Sequence, residues 1–450
     1  MKRVAIIGGG FAGLAAGVEL ASRGFRVNVL EARPRLGGRA YSFTDEASGE
    51  VVDNGQHAMM GCYTHTLAFL ERIGATPKLV RQPALRVEFV DPQRGAGAIA
   101  ASSMPSPLHL LTGILGYRLL NRAERVCALL GGVRLMVMRR RRDPRLSEST
   151  VQELLIALGQ SANARRSFWY PVAVATLNEC ATRAAAAPFA EVLARAFFRS
   201  RTDSQFVLPK VGLSDLYTED ARAFIEARGG SVSVKSAIVR LSLIDGRIGA
   251  LELRDGTRVE ADACISAVPP RALAALLPAP LRASPGLRAL EQFDTSPIVS
   301  THLWFDRQVL ASDFVGLLGT TTQWAFNRSK LTANGHGAGP QCVSAVISAG
   351  RDVVEWDTGR VADKVVGDLR SLVPAARAAQ LLRSVVVKEK HATISPTPAA
   401  ERLRPPPRTP VNNFFLAGDW VQTGLPPTIE SAVVSGHRAA ALVADRLAGH

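Results

Sequence analysis

Residues Ile6 to Leu20 read IIGGGFAGLAAGVEL, and this stretch decides the fold. Val4 to Ile7 is a short β-branched run, and Ala12 to Arg23 has helical spacing with many small residues. A strand therefore turns directly into a helix, and Val27 to Leu30 reads as the next strand. Gly8, Gly10 and Gly13 fall in the turn as G-x-G-x-x-G. Gly8 permits the tight turn, Gly10 lets the backbone approach a pyrophosphate, and Gly13 lets the helix lie close on the sheet. Free N–H groups and the positive helix end converge there and favour phosphate. Glu31 ends the second strand, where a carboxylate can hold ribose hydroxyls and disfavours a 2′-phosphate. The expected ligand is NAD or FAD.

Composition bounds the remainder. A chain of 450 residues is too long for one simple core, so two joined domains are expected. With 47% hydrophobic and 21% charged residues it reads as globular. No run of uncharged apolar residues is long enough to span a bilayer. The start, MKRVAIIGGG, lacks the apolar core and cleavage site of a signal peptide, which places the expected protein in the cytoplasm. The five cysteines are scattered, never as C-x-x-C, which argues for free thiols and against a disulfide framework or a metal site. The net charge of +15 calls for a partner, yet the arginines are dispersed and no nucleic-acid motif is present. The one dense basic run, MRRRRDPR from Met138 to Arg145, ends an apolar region. It reads either as an anionic membrane contact or as a solvated helix end.

The residues after Glu31 separate the two dinucleotides. EARPRLGGRAYS resembles the E-x-x-x-x-x-G-G-R signature of the FAD-containing amine oxidase and phytoene desaturase superfamily. Near the C-terminus, NFFLAGDWVQTGLPPTIESAVVSGHRAAALVADRL reads as strand, turn and helix, with Thr428 as N-cap. It resembles the second flavin-contacting segment of that superfamily. The resemblance implies FAD, contacted by Glu31, Ala32, Gly37, Gly38, Arg39, Asn54 and Gly55 on one side. Gly418, Asp419, Thr428 and Ile429 contact it on the other, with the helix N-terminus aimed at the flavin. SVSVKSAIVRL resembles the strand that meets the adenine, with Ile238 as the contact. The implied fold is α/β, a Rossmann-like FAD domain with an interleaved α+β substrate domain. The FAD domain is expected at 1–70, 205–275 and 405–450. The substrate domain takes 71–204 and 276–404, with 105–200 mostly helical.

DNGQHAMMGCY and GLLGTTTQWAFNR narrow the resemblance to the hydroxysqualene dehydroxylase family. The implied reaction is reduction of hydroxysqualene to squalene, with loss of an allylic hydroxyl and hydride from reduced flavin. The rival reading is an oxidising desaturase of a carotenoid-type polyene; an amine oxidase or a prenyl-lipid escort protein stands further off. His57 is open to three roles: acid–base catalyst, flavin or corner hydrogen bond, or packed histidine. Gln323, Glu430, Asp53 and His391 are further polar candidates. If TTTQWAF is a strand, Thr322, Trp324 and Phe326 share one face as a substrate wall, with Gln323 on the other. A C30 isoprenoid is almost insoluble, so LHLLTGILGYRLL and VCALLGGVRLMVMRRRR are expected to lie at a membrane interface or to roof the cavity. With one G-x-G-x-x-G in the sequence nothing suggests a dedicated NAD(P)H site, and an external reductase or direct NAD(P)H attack are the two expected electron sources.

Overall fold

The computed structural model describes residues 1–47, 49–332 and 340–448. The Gly-rich turn sits on a five-stranded, all-parallel sheet. Its strands run Ser231–Ser233, Arg26–Leu30, Arg3–Ile7, Ala263–Ser266, Phe414–Leu416 across the sheet. Chain segments far apart in sequence thus meet in one layer. Val4 to Ile7 and Ala263 to Ser266 are buried throughout, as central parallel strands covered on both faces must be. A hairpin sheet lies next along the chain, and its Asp245–Gly246 turn has φ of 49° and 73°, the doubly left-handed turn that Asp-Gly favours.

Four helices position the site: α1 (Phe11–Ser22), α2 (Thr64–Arg72), α3 (Arg122–Arg140) and α4 (Ile429–Ala448). α4 packs on α1 at glycine distance. A Cβ on Gly436 would stand 2.3 Å from the Ala12 carbonyl oxygen.

The second unit is a seven-stranded mixed sheet in the order Leu381–Ile394, Thr295–Phe305, Gln341–Ser348, Trp324–Asn327, Phe314–Leu317, Arg86–Asp91, Gly95–Ala100. Alternation along its strands divides two faces. Val299, Val343, Ala345 and Ala325 pack under the helix Thr358–Leu372. Ile298, Val346, Trp324 and Phe326 point the other way and floor a cavity. The largely helical segment from Leu111 to Phe197 roofs it. The strand expected over TTTQWAF starts only at Trp324, so Thr322 lies in the irregular segment before it. The Pro-rich stretch RLRPPPRTP, Arg402 to Pro410, is pinned ahead of the last strand. Buried Arg404 donates to the carbonyls of Asp419 (2.7 Å), Val421 (2.8 Å) and Leu425 (2.5 Å).

Candidate active site

The Gly-rich cradle is built by positions that tolerate no side chain. Gly8 and Gly37 lie at φ +105° and Gly418 at +134°. A Cβ on Gly13 would come within 1.9 Å of the Gly8 carbonyl oxygen, so α1 rests directly on the loop. No side chain caps α1, which leaves its first-turn N–H groups free for an anion. Glu31 is buried and braces the loop, accepting from Gly9 N–H (2.7 Å) and Arg33 N–H (2.9 Å).

The second contact segment closes on the first. Arg39 donates to the Asp419 carboxylate at 2.5 Å and to the Ala392 carbonyl at 3.1 Å. Thr428 caps α4 by accepting from Ser431 N–H at 3.2 Å, which aims the helix's positive end at the cavity. Trp420 is buried and donates its indole N–H to the Val268 carbonyl at 3.0 Å. Tyr217 stacks on Phe11, and its hydroxyl donates to Gly37 carbonyl at 3.0 Å. The donor set fits an anionic diphosphate: two helix N-termini, Arg33 and Arg39, and glycines that let the ligand approach the backbone.

From this cradle one cavity of about 670 Å³ runs into the second unit. Its far half is lined by Phe89, Phe206, Phe314, Trp324 and Phe326, with aliphatic side chains between them. Where Leu108 and Val133 line it they are 47% and 54% exposed, so the cavity opens to the surface beside α3.

His57 lines the cavity, with Nδ1 2.9 Å from the Gly55 carbonyl. Burial pulls its pKa below the ordinary 6.5, against the opposing Gly55 carbonyl and the Asp53 and Glu389 carboxylates. The ring is therefore neutral near pH 7. A carbonyl only accepts, so Nδ1 carries the hydrogen and Nε2 presents a lone pair. That makes His57 an acceptor and a poor acid.

Other expected residues fall elsewhere. Glu430 does not line the cavity; it accepts from His65 N–H (3.0 Å), Thr66 N–H (2.9 Å) and Thr66 Oγ1 (2.7 Å), capping α2. Gln323 points away too, gripping both backbone groups of Ser348 (2.8 and 3.4 Å). Thr322 is wholly buried, with its N–H on Asp368 at 2.9 Å. Asp53 is ion-paired to Arg328 at 2.8 Å, and His391 is an exposed strand residue bonded to Thr295 at 2.9 Å. Ile238 packs into the core cluster around Leu241 and Leu251, Ala32 is exposed, and neither is among the residues that line the cavity. Gly8, Gly10, Glu31, Gly37, Gly38, Arg39, Asn54, Gly55, Gly418, Asp419, Thr428 and Ile429 all do.

Among the cavity residues that escape sequence reasoning are Glu389 and Asn178. Glu389 accepts from Asn54 Nδ2 at 3.0 Å and from the Tyr41 hydroxyl. Asn178 holds the left-handed conformation (φ 49°) that ends the helix Tyr170–Leu177. Only the helix-terminating habit of Asn offered a signal for the latter. Among the described residues no cluster of three His, Cys, Asp or Glu could hold a metal.

A glycine cradle on a parallel sheet, answered by an arginine and a helix terminus and opening on an apolar cavity, defines a dinucleotide-binding oxidoreductase. The chain belongs to the flavin-containing amine oxidoreductase family, whose sequence profile matches residues 11–444, and within it to the hydroxysqualene dehydroxylases. FAD is its cofactor. It is 30% identical over 445 residues to hydroxysqualene dehydroxylase of Rhodopseudomonas palustris, covering 98% of each chain. It is 25% identical to 15-cis-phytoene desaturase of Solanum lycopersicum, over 98% of this chain and 78% of that one. An oxidoreductase from Methanosarcina mazei shares the fold, with a TM-score of 0.76 at 16% identity over 97% of this chain and 99% of that one.

Proposed function

We propose that this enzyme reduces hydroxysqualene to squalene with FAD. One observation carries the reading: the FAD cradle opens without interruption into a trough floored by the seven-stranded sheet. From Glu389 on one edge strand to Ile99 on the other are six strand spacings, about 29 Å at ~4.8 Å each. Beyond the cradle end the wall is aromatic and aliphatic, which suits a long polyisoprene and excludes water from the reacting carbon.

The net change breaks the allylic C–O bond, releases the oxygen as water with one added proton, and places hydride on the carbon. Reduced FAD, when bound, supplies that hydride. The residues do the rest. His57 Nε2 offers the cavity a hydrogen-bond acceptor. Glu389, bonded to the Tyr41 hydroxyl, links the cavity to a partly exposed tyrosine through which a proton can be replaced. Electrons reach FAD from an external donor.

No helix among the described residues is long and apolar enough to cross a membrane. On α3, however, Val126, Leu130, Val133 and Val137 form an exposed stripe at helical spacing, ending in Arg139 and Arg140. The cavity mouth lies beside it. We infer that this face rests on the anionic inner surface of the cell membrane, where the substrate resides. Liposome flotation that left all the protein at the bottom would refute this.

The decisive experiment is anaerobic: flavin reduced chemically, hydroxysqualene added in detergent, products read by mass spectrometry. Squalene should appear as the flavin re-oxidises. A flavin-loaded enzyme that yields none, yet oxidises a carotenoid-type polyene, would make it a desaturase like its tomato relative.

A further inference from the structure

The cavity is apolar along most of its length, and one polar patch interrupts its floor. Ser348 ends the central strand Gln341–Ser348, facing Ile298, which in turn pairs with Glu389. Both backbone groups of Ser348 are held by the Gln323 amide, yet its Oγ has no protein partner among the described residues although the residue is only 8% exposed. Thr393 lies on the edge strand, two strands over from Ser348 and opposite Ser296. There the register slips: Ser296 to Ile298 face Thr393 and Glu389, so two steps on one strand match four on the other. This bulge frees the Ala392 carbonyl for Arg39 while Thr393 still lines the cavity.

Asn178 locks the two together. Its Nδ2 donates to Thr393 Oγ1 at 3.0 Å and to the Ser296 carbonyl at 3.1 Å, and its Oδ1 accepts Ala349 N–H at 2.9 Å. Ala349, next to Ser348, is left-handed at φ 51°, a conformation alanine adopts only at a cost. The amide thus fixes Thr393 Oγ1 as an acceptor and turns that hydroxyl's own hydrogen outward. Two side-chain hydroxyls, one with both lone pairs free and one with a spare hydrogen, line the cavity on the same sheet as Glu389.

Resting on the proposed function, we infer that Ser348 and Thr393, positioned by Asn178, are the subsite for the substrate's hydroxyl. Thr393 donates to the hydroxyl oxygen, and that hydroxyl donates to Ser348 Oγ. The pair orients the C–O bond and selects alcohol over hydrocarbon. Once the oxygen has left as water, the hydrocarbon product leaves both groups unpaired in an apolar wall, which favours its release.

The test reads binding, not turnover. Oxidised, FAD-loaded enzyme in detergent is titrated with hydroxysqualene and with squalene, following the flavin absorption band. The wild type should bind the alcohol more tightly. Thr393→Val combined with Ser348→Ala should weaken alcohol binding about tenfold or more and leave squalene binding unchanged or tighter. Thr393→Ser, which keeps the hydroxyl, should retain the preference, and flavin content reports whether each variant is folded. An unchanged alcohol-to-hydrocarbon ratio in the double variant, or equal binding of both ligands by the wild type, overturns the subsite. Failure of the wild type to bind either ligand would sink the proposed function instead.

Discussion

Replacing Glu430 by alanine separates a chemical from an architectural role for a residue whose position in the second flavin segment invites the first. Glu430 is 2% exposed and accepts from two main-chain N–H groups and one hydroxyl at the start of α2. Truncation leaves those N–H groups unpaired, and Thr66 is fully buried. An orphaned buried donor costs about 1–3 kcal/mol and loss of a cap about 1 kcal/mol, while water entering the vacated space offsets part of this. The net loss should be about 3 kcal/mol. At about 2.1 cal/mol/K per residue, the unfolding entropy of this chain is about 0.9 kcal/mol/K, so Tm should fall by about 3 °C. Thermal unfolding by circular dichroism, paired with single-turnover rates per bound flavin, reads both effects. Turnover of the folded fraction should stay within about threefold. An unchanged Tm with turnover down a hundredfold would refute the capping argument and return Glu430 to the chemistry.

Three further outcomes are expected. Gly13→Val drives a side chain into the Gly8 carbonyl, so purified protein should lose most of its 450 nm absorbance; full FAD content would contradict the close packing of helix on loop. His57→Phe should keep its flavin but turn over at least about tenfold more slowly, through loss of one cavity acceptor, and unchanged turnover would make His57 a packing residue. His302 is wholly buried, bonded to Ser344 and the Asp53 carbonyl, with its pKa lowered from 6.5 to about 4. The unfolded chain binds this proton first, so stability should fall as pH drops from 6.5 towards 4, by about 1.4 kcal/mol per pH unit. Urea unfolding of wild type and His302→Gln across that range should show the slope differ by that amount; equal slopes would exclude the histidine.

The cofactor end was legible because its chemistry is local. A glycine that must yield to a phosphate, or a Thr that caps a helix, is written within a few residues of its partner. The substrate end was not. Gln323 and Glu430 are polar residues in suggestive segments, but which way each points depends on strands and helices remote in sequence. Gln323 turns towards Ser348, and Glu430 spans to α2. Glu389 and Thr393 sit on an edge strand whose alternation breaks at a bulge, so no period-two reading could assign their faces.

From the sequence by itself came the strand–turn–helix cradle, the carboxylate beside it, the returning Gly418–Asp419 segment and hence the dinucleotide. Each depends on backbone geometry that neighbouring residues determine. Only the tertiary structure decided which polar groups share the cavity. Asn178, Ser348 and Thr393 come from three distant segments. They meet only because a sheet edge bulges, a helix ends left-handed and a cavity opens between them.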